Sequence, residues 1–176
     1  MINRKQHRAF VKWEDDTRHW AHETARDLVM AMVNGQPTRA TPYGIGVVLE
    51  PGERVWAECP ARFLQERPVV PTVAPLSIPP IRPWLVTSDR IVGRLGDGHL
   101  YGWRWVQIVG CRVKLTPSDE VVTLDLGDGN CLNWTGPGTA PLSVAAVFRL
   151  HGPSALINHP GLAELRVLDR RIGALR

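Results

Sequence analysis

The chain has 176 residues, 44% of them apolar and 22% charged, with 21 Lys and Arg against 17 Asp and Glu. That length suits one domain with a core of ordinary size. No apolar run approaches the eighteen or so residues that a spanning helix needs, which excludes a helical membrane protein, and the apolar share excludes a wholly disordered chain.

The net charge of +4 is unevenly placed. Residues 1–12 carry Arg4, Lys5, Arg8 and Lys12 with no acid, and residues 166–176 carry a net +3, which leaves the remaining 153 residues at -3. A body that grips duplex DNA concentrates Lys and Arg on one face, because phosphate neutralisation supplies most of the affinity. Any polyanion contact here must therefore come from the ends. The basic start is followed by only Ala9-Phe10-Val11 before Lys12, too short an apolar stretch for a signal peptide. A cytoplasmic location, the inner face of a membrane included, is the expectation. Arg outnumbers Lys by 18 to 3, and Ala, Gly, Pro and Val are abundant, as in chains encoded by GC-rich bacterial genomes or their viruses.

Residues 1–13 show no clear period and read as a mobile arm. From Asp16, with Asp15 or Asp16 as N-cap, Ala21, Ala25, Leu28, Val29, Met32 and Val33 recur at spacings of three and four and predict an amphipathic helix that ends at Asn34-Gly35. Trp20 would extend its buried stripe. After turn-formers at 36–46 come Val47-Val48-Leu49, the turn Glu50-Pro51-Gly52-Glu53, and a strand over 54–65, with Pro60 marking a bulge, an edge or the point where the strand leaves its sheet. Residues 68–83 hold six prolines interleaved with Val69, Val70, Val73, Leu76, Ile78 and Ile81, an extended segment that either covers the core or straps onto a partner.

A strand at 84–87, a turn at Ser88-Asp89 and a returning strand at 90–95 follow. Residues 103–115 read as one strand, with Val109, Cys111, Val113 and Leu115 facing inward. Val122, Leu124 and Leu126 then face the core from a strand joined through Gly127-Asp128-Gly129-Asn130 to Leu132 and Trp134. Thr139 is positioned to cap a helix over 140–151 that Gly152-Pro153 stops, and a short helix near 154–158 precedes a last amphipathic segment with Leu162, Leu165, Leu168 and Ile172.

No set of residues demands a chemistry. Cys59, Cys111 and Cys131 are widely spaced among apolar neighbours and read as buried free thiols. His19 and His22 sit three apart, outside the zinc-protease patterns, and read as surface imidazoles. No metal, no cofactor and no catalytic residue is expected. The best binding candidates are Arg90, Arg94, Arg104, Arg112 and Lys114, which alternate with core positions and could receive an anionic group, together with Ile78 and Ile81 on the proline segment. Against them stands a sheet face already balanced by Asp89, Asp97, Asp119 and Asp125, since residues 43–150 hold ten basic and ten acidic residues.

The order of these segments resembles the bacterial pleckstrin-homology-like and GRAM-like domains: Leu49-Glu50-Pro51-Gly52-Glu53, then Trp84-Leu85-Val86-Thr87-Ser88-Asp89-Arg90-Ile91-Val92, then Trp103-Arg104-Trp105-Val106-Gln107-Ile108, then the glycine-turn hairpin and a closing helix. The resemblance covers about residues 45–152. It implies an α+β fold in which a bent antiparallel sheet or small barrel is closed by a C-terminal helix, here preceded by an added amphipathic helix. The segments expected are a basic arm and helix at 1–36, the PH-like unit at 37–152 with its proline-rich insertion at 68–83, and a helical basic tail at 153–176. It also implies a non-catalytic binding module. A protein partner is the first expectation, and an anionic lipid surface or nucleic acid held by the basic termini is the second.

Overall fold

The computed structural model describes residues 4–35, 46–66, 79–95 and 98–166. Helix α1 runs from Arg4 to Val33, β1 from Val55 to Glu66, β2 from Arg82 to Thr87, β3 from Arg90 to Arg94 and β4 from Leu100 to Arg104. Strands β5 (Ile108–Thr116), β6 (Asp119–Leu126) and β7 (Cys131–Thr135) follow, then helices α2 (Ala140–His151) and α3 (Pro153–Asn158). The class is α+β. All pairings are antiparallel, and the sheet is open, with the order β4-β3-β2-β1-β7-β6-β5.

Strand β1 joins the two halves of this sheet. Its residues 55–61 pair with β2 and its residues 62–66 pair with β7. The handover falls at Pro60, which lies opposite Pro83 of β2, so two residues that cannot donate to a ladder meet where the pairing changes sides. Ala57, Cys59, Ala61 and Phe63 point into the main core at the period of two expected of a strand, while Val55, before the irregularity between Val55 and Ala57, packs with Leu85 and Val92 in a second cluster. Phe63 stands 5.1, 5.1 and 5.0 Å from the rings of Trp84, Trp103 and Trp134, an aromatic centre drawn from β1, β2, β4 and β7.

Helix α2 is buried without interruption from Ala140 to Val147. A helix apolar on all sides must be enclosed, and this one lies between the sheet and α1, which it touches over much of its length. The Sγ of Cys59 accepts a hydrogen bond from the Leu142 N–H, satisfying one of the donors that a helix start leaves open. Thr139 does not cap by its side chain as expected. It is already helical in conformation, and its hydroxyl donates to the Gly136 carbonyl. Gly152 ends the helix at φ 78°, a conformation that suits glycine.

Four other expectations are corrected. Residues 4–13 continue α1 and are not an arm, because no Gly or Pro interrupts the chain from Arg4 to Val33 and a helix nucleated on the core extends at little cost. Asp15 and Asp16 therefore lie within the helix. Trp20 and Val33 are 44% and 40% exposed, because the buried stripe of α1 passes through Ala21, His22, Ala25, Leu28 and Met32 and leaves both at its flanks. The run 103–115 is two strands, split by a 3-10 turn at Trp105–Gln107 where the buried Trp105 indole N–H donates to the Thr87 carbonyl. That turn carries the chain from one edge of the sheet, β4, to the other, β5. Val109 is 67% exposed, because the β5–β6 register shifts between Ile108 and Gly110 and the bulge sends Ile108 inward in its place.

Of the proline-rich segment, residues 68–78, Ile78 among them, lie outside the described residues, while Ile81 is half-buried and Arg82-Pro83 opens β2. Leu162 and Leu165 are buried as expected, and Leu168 and Ile172 lie outside the described residues. Among the described residues no helix is long and apolar enough to cross a membrane.

Candidate docking surface

Of the five basic candidates, Arg90 and Arg104 stand opposite each other in the β3–β4 register and both engage the Glu50–Glu53 turn, whereas Arg94 ends β3 and Arg112 and Lys114 lie on β5. Arg90 is the most enclosed. The Thr87 hydroxyl accepts from the N–H groups of Asp89 and Arg90 and donates to Glu53 Oε1 at 2.6 Å, and Arg90 Nε donates to the same carboxylate at 2.9 Å. The Glu50 N–H adds a third donor at 2.7 Å. Burial pushes the Glu53 carboxyl up, but Arg90, Thr87 and the Glu50 N–H more than offset it and hold it below its ordinary value. This corner pins the loop before β1 to the β2–β3 turn, so Arg90 is structural and offers no free charge. Arg104 pairs with Glu50, Arg112 with Asp125 at 3.1 Å and Lys114 with Asp119 at 2.7 Å. Arg94 donates to the Gly98 carbonyl at 2.9 Å.

The cysteines are free. Cys59 is fully enclosed, and burial pushes its thiol far up. Cys111 and Cys131 are only half-buried, a correction that follows from the place of Cys111 on the edge strand β5 and of Cys131 at the very start of β7. Burial and the nearby Asp125 push Cys111 up to about 11, so the contact of its Sγ with His151 Nε2 at 3.8 Å involves a protonated thiol and not a nucleophilic thiolate. Among the described residues no three His, Cys, Asp or Glu side chains converge on one point as metal ligands.

What the geometry does build is a fixed orientation of α1. Glu120, on β6, is buried against the helix, and its Oε1 accepts from Arg18 Nε at 2.9 Å and lies 3.1 Å from His22 Nε2. His22 is thus no surface imidazole: it sits in the buried stripe, against a carboxylate from a residue 98 positions away. Glu14 adds an ion pair to Arg62 of β1 at 3.6 Å. A polar cleft of about 250 Å³ runs along this seam, between Glu14, Arg18, Arg62, Asp119, Glu120 and Thr135. Three polar contacts on one side and the Ala21, Ala25, Leu28 and Met32 stripe on the other leave α1 no freedom to rotate about its axis.

The fixed phase leaves an aromatic flank beside the buried stripe, half-buried at Thr17 and Thr24 and more open toward the start of the helix. At 3.6 residues per turn, positions 6, 10, 13, 17, 20 and 24 fall within about 80° of one another. They carry Gln6, Phe10, Trp13, Thr17, Trp20 and Thr24. Phe10 and Trp13 are 45% and 41% exposed and touch each other, ring centroids 6.0 Å apart. Arg4, Lys5, Arg8 and Lys12 project from the opposite side of the same turns, all exposed. The residues that position this face, Glu120 and His22, escape sequence reading because the contact spans half the chain. The aromatic spacing itself is legible once residues 4–13 are taken as helix.

Compared with known proteins, the chain matches no protein-family model and no curated protein.

Proposed function

We propose that the chain is a non-catalytic binding module of PH-like type that docks a protein partner through the outer face of α1. The observation that carries this reading is the pair Phe10 and Trp13, 45% and 41% exposed on a helix segment outside the core cluster, on a helix held in phase by the Glu120 contacts. Buried aromatic anchors supply much of the binding energy at protein interfaces, and exposed ones at regular helical spacing are the form in which a free helix presents them. The PH-like reading is supported by the bent β1 shared between two halves of an antiparallel sheet, by the Thr87–Arg90 corner, and by a C-terminal helix seated on the sheet.

The exposed cations Arg4, Lys5, Arg8 and Lys12, which form no ion pair among the described residues, favour a second reading, attachment to an anionic bilayer or nucleic acid through the basic ends. A photo-reactive side chain at position 13, and separately at position 8 on the basic side, distinguishes the two in cells of the source organism. Docking through the aromatic face gives a protein adduct from position 13 and none from position 8. Absence of any protein adduct from position 13, together with salt-sensitive binding to anionic vesicles or duplex DNA that is lost on deleting residues 1–12, contradicts it.

A further inference from the structure

We infer that the polar cleft between α1 and β6 receives a primary ammonium, the end of a lysine side chain on the protein that α1 docks. The choice of a partner's lysine rests on the reading of α1 as a docking element, whereas the demand for an ammonium comes from Glu120. Glu120 lines the cleft with its side chain 1% exposed, and both of its neighbours, Arg18 Nε at 2.9 Å and His22 Nε2 at 3.1 Å, lie on the same oxygen, Oε1. The other oxygen, Oε2, is buried and meets no donor. A carboxylate enclosed to this degree ordinarily has donors on both oxygens, since a buried charged acceptor left open carries the full cost of its desolvation. Oε2 therefore calls for one more N–H or O–H.

Charge decides which donor. The ion pairs around the cleft join four acids, Glu14, Asp15, Asp119 and Glu120, to three bases, Arg18, Arg62 and Lys114, and leave one negative charge over. A water would meet Oε2 and leave that charge in place, whereas a cation removes both deficits. The ligand set does not suit a metal ion, because among the described residues no three His, Cys, Asp or Glu side chains converge. A guanidinium fork needs two acceptors side by side, and Oε1 is already taken. An ammonium is a compact charge that can use one oxygen, and the hydroxyls of Ser118 and Thr135 line the same space for its remaining N–H groups. The cleft, about 250 Å³, admits it together with its stem. Position ties the cleft to the docking face. Glu14, in its wall, follows Phe10 by four residues and Val11 by three, so the three share one side of α1, with Phe10 about 6 Å further along the axis. Phe10 and Val11 are 45% and 42% exposed, and a protein that covers them stands over the cleft.

The probe is n-butylammonium chloride, which has the stem and ammonium of a lysine side chain, added to the full chain at constant ionic strength and followed by NMR. Saturable shifts of the amide signals of Glu120, Thr135 and Gly136, with a millimolar dissociation constant, are expected. Tetramethylammonium, equal in charge but without an N–H, is expected to produce none. Glu120→Gln keeps the shape and removes the charge, and should weaken butylammonium binding at least about tenfold. Because Glu120 also holds α1, a second variant is placed at an exposed turn position: Ser118→Lys gives the cleft an ammonium of its own, and butylammonium binding is expected to disappear with the circular dichroism unchanged. The same variant is expected to lower the yield of protein adduct from a photo-reactive position 13 at least about tenfold. No binding of butylammonium at about 100 mM, equal binding of tetramethylammonium, or binding that survives Ser118→Lys overturns the ammonium site. Binding lost in Ser118→Lys while the adduct from position 13 is undiminished overturns the partner's lysine and leaves the docking reading standing. Absence of any adduct from position 13 in the parent contradicts the docking reading itself, and with it the source of the lysine.

Discussion

Glu53 is enclosed by the corner it organises, and its charge is tolerated only because Arg90, Thr87 and a backbone N–H surround it. Removing one partner of such a pair leaves the other charge buried and uncompensated, so Arg90→Ala is expected to cost about 3–5 kcal/mol in chemical denaturation. A loss under about 1 kcal/mol, the range of an exposed ion pair, would contradict the enclosed geometry. Because the native carboxyl titrates below its ordinary value of 4.5, the contribution is complete above that value and is lost as pH falls through the lower native one. Acid unfolding of Arg90→Ala should therefore begin from lower stability and show a shallower decline than the parent over that window. Gly93 tests the aromatic centre in a different way. A Cβ there would stand 2.5 Å from the ring of Trp84, which is fully buried and cannot retreat. Gly93→Ala should destabilise by about 1–3 kcal/mol, and a neutral or stabilising effect would mean that Trp84 is free to move. Leu124, fully buried on β6 beside Leu132, should lose about 2–5 kcal/mol on truncation to Ala.

At the scale of elements, the outer part of α1 and its inner part should behave as separate units. Residues 4–13 are exposed throughout, whereas Ala21, Ala25, Leu28 and Met32 belong to the core. Deleting residues 1–13 should change the stability of the dilute chain by less than about 0.5 kcal/mol, the range of surface changes. Glu120→Ala should cost about 1–3 kcal/mol by leaving Arg18 and His22 without their acceptor, and limited proteolysis should then cut α1 where the parent resists. Resistance equal to the parent's would show that the apolar stripe alone holds the helix. The same contrast explains what could be read from the chain alone. Strands β1, β2, β3, β6 and β7 and helix α2 were legible, because alternation, turn residues and Gly152-Pro153 are local signals. The start of α1 was not, because the ten residues before Glu14 lack an apolar stripe facing their own domain and are helical by continuation only. The break at Trp105 was hidden by the even spacing of apolar residues on either side, and its cause, the hydrogen bond to Thr87, links positions 18 apart. The site was less legible than the fold. The basic residues that alternated most regularly prove to be held in local pairs, and the face that remains open was visible only as scattered aromatics.

For the whole molecule, these observations describe a rigid body with one protruding element. Sheet, α2 and the stripe of α1 share a single core cluster, and the aromatic face lies beyond it. The outer segment continues a helix anchored on the core but lies outside the core cluster, so its amides should exchange faster than those of the body and gain protection when a partner covers the face. Hydrogen exchange resolved along α1, compared between the chain alone and the chain bound to the protein that position 13 captures, measures this directly. The expected result is faster exchange of residues 4–13 in the chain alone, protection of the same amides at least about tenfold stronger in the complex, and no change over residues 21–33. Protection of residues 4–13 that is the same in the two samples would contradict the assignment of this face as the docking surface.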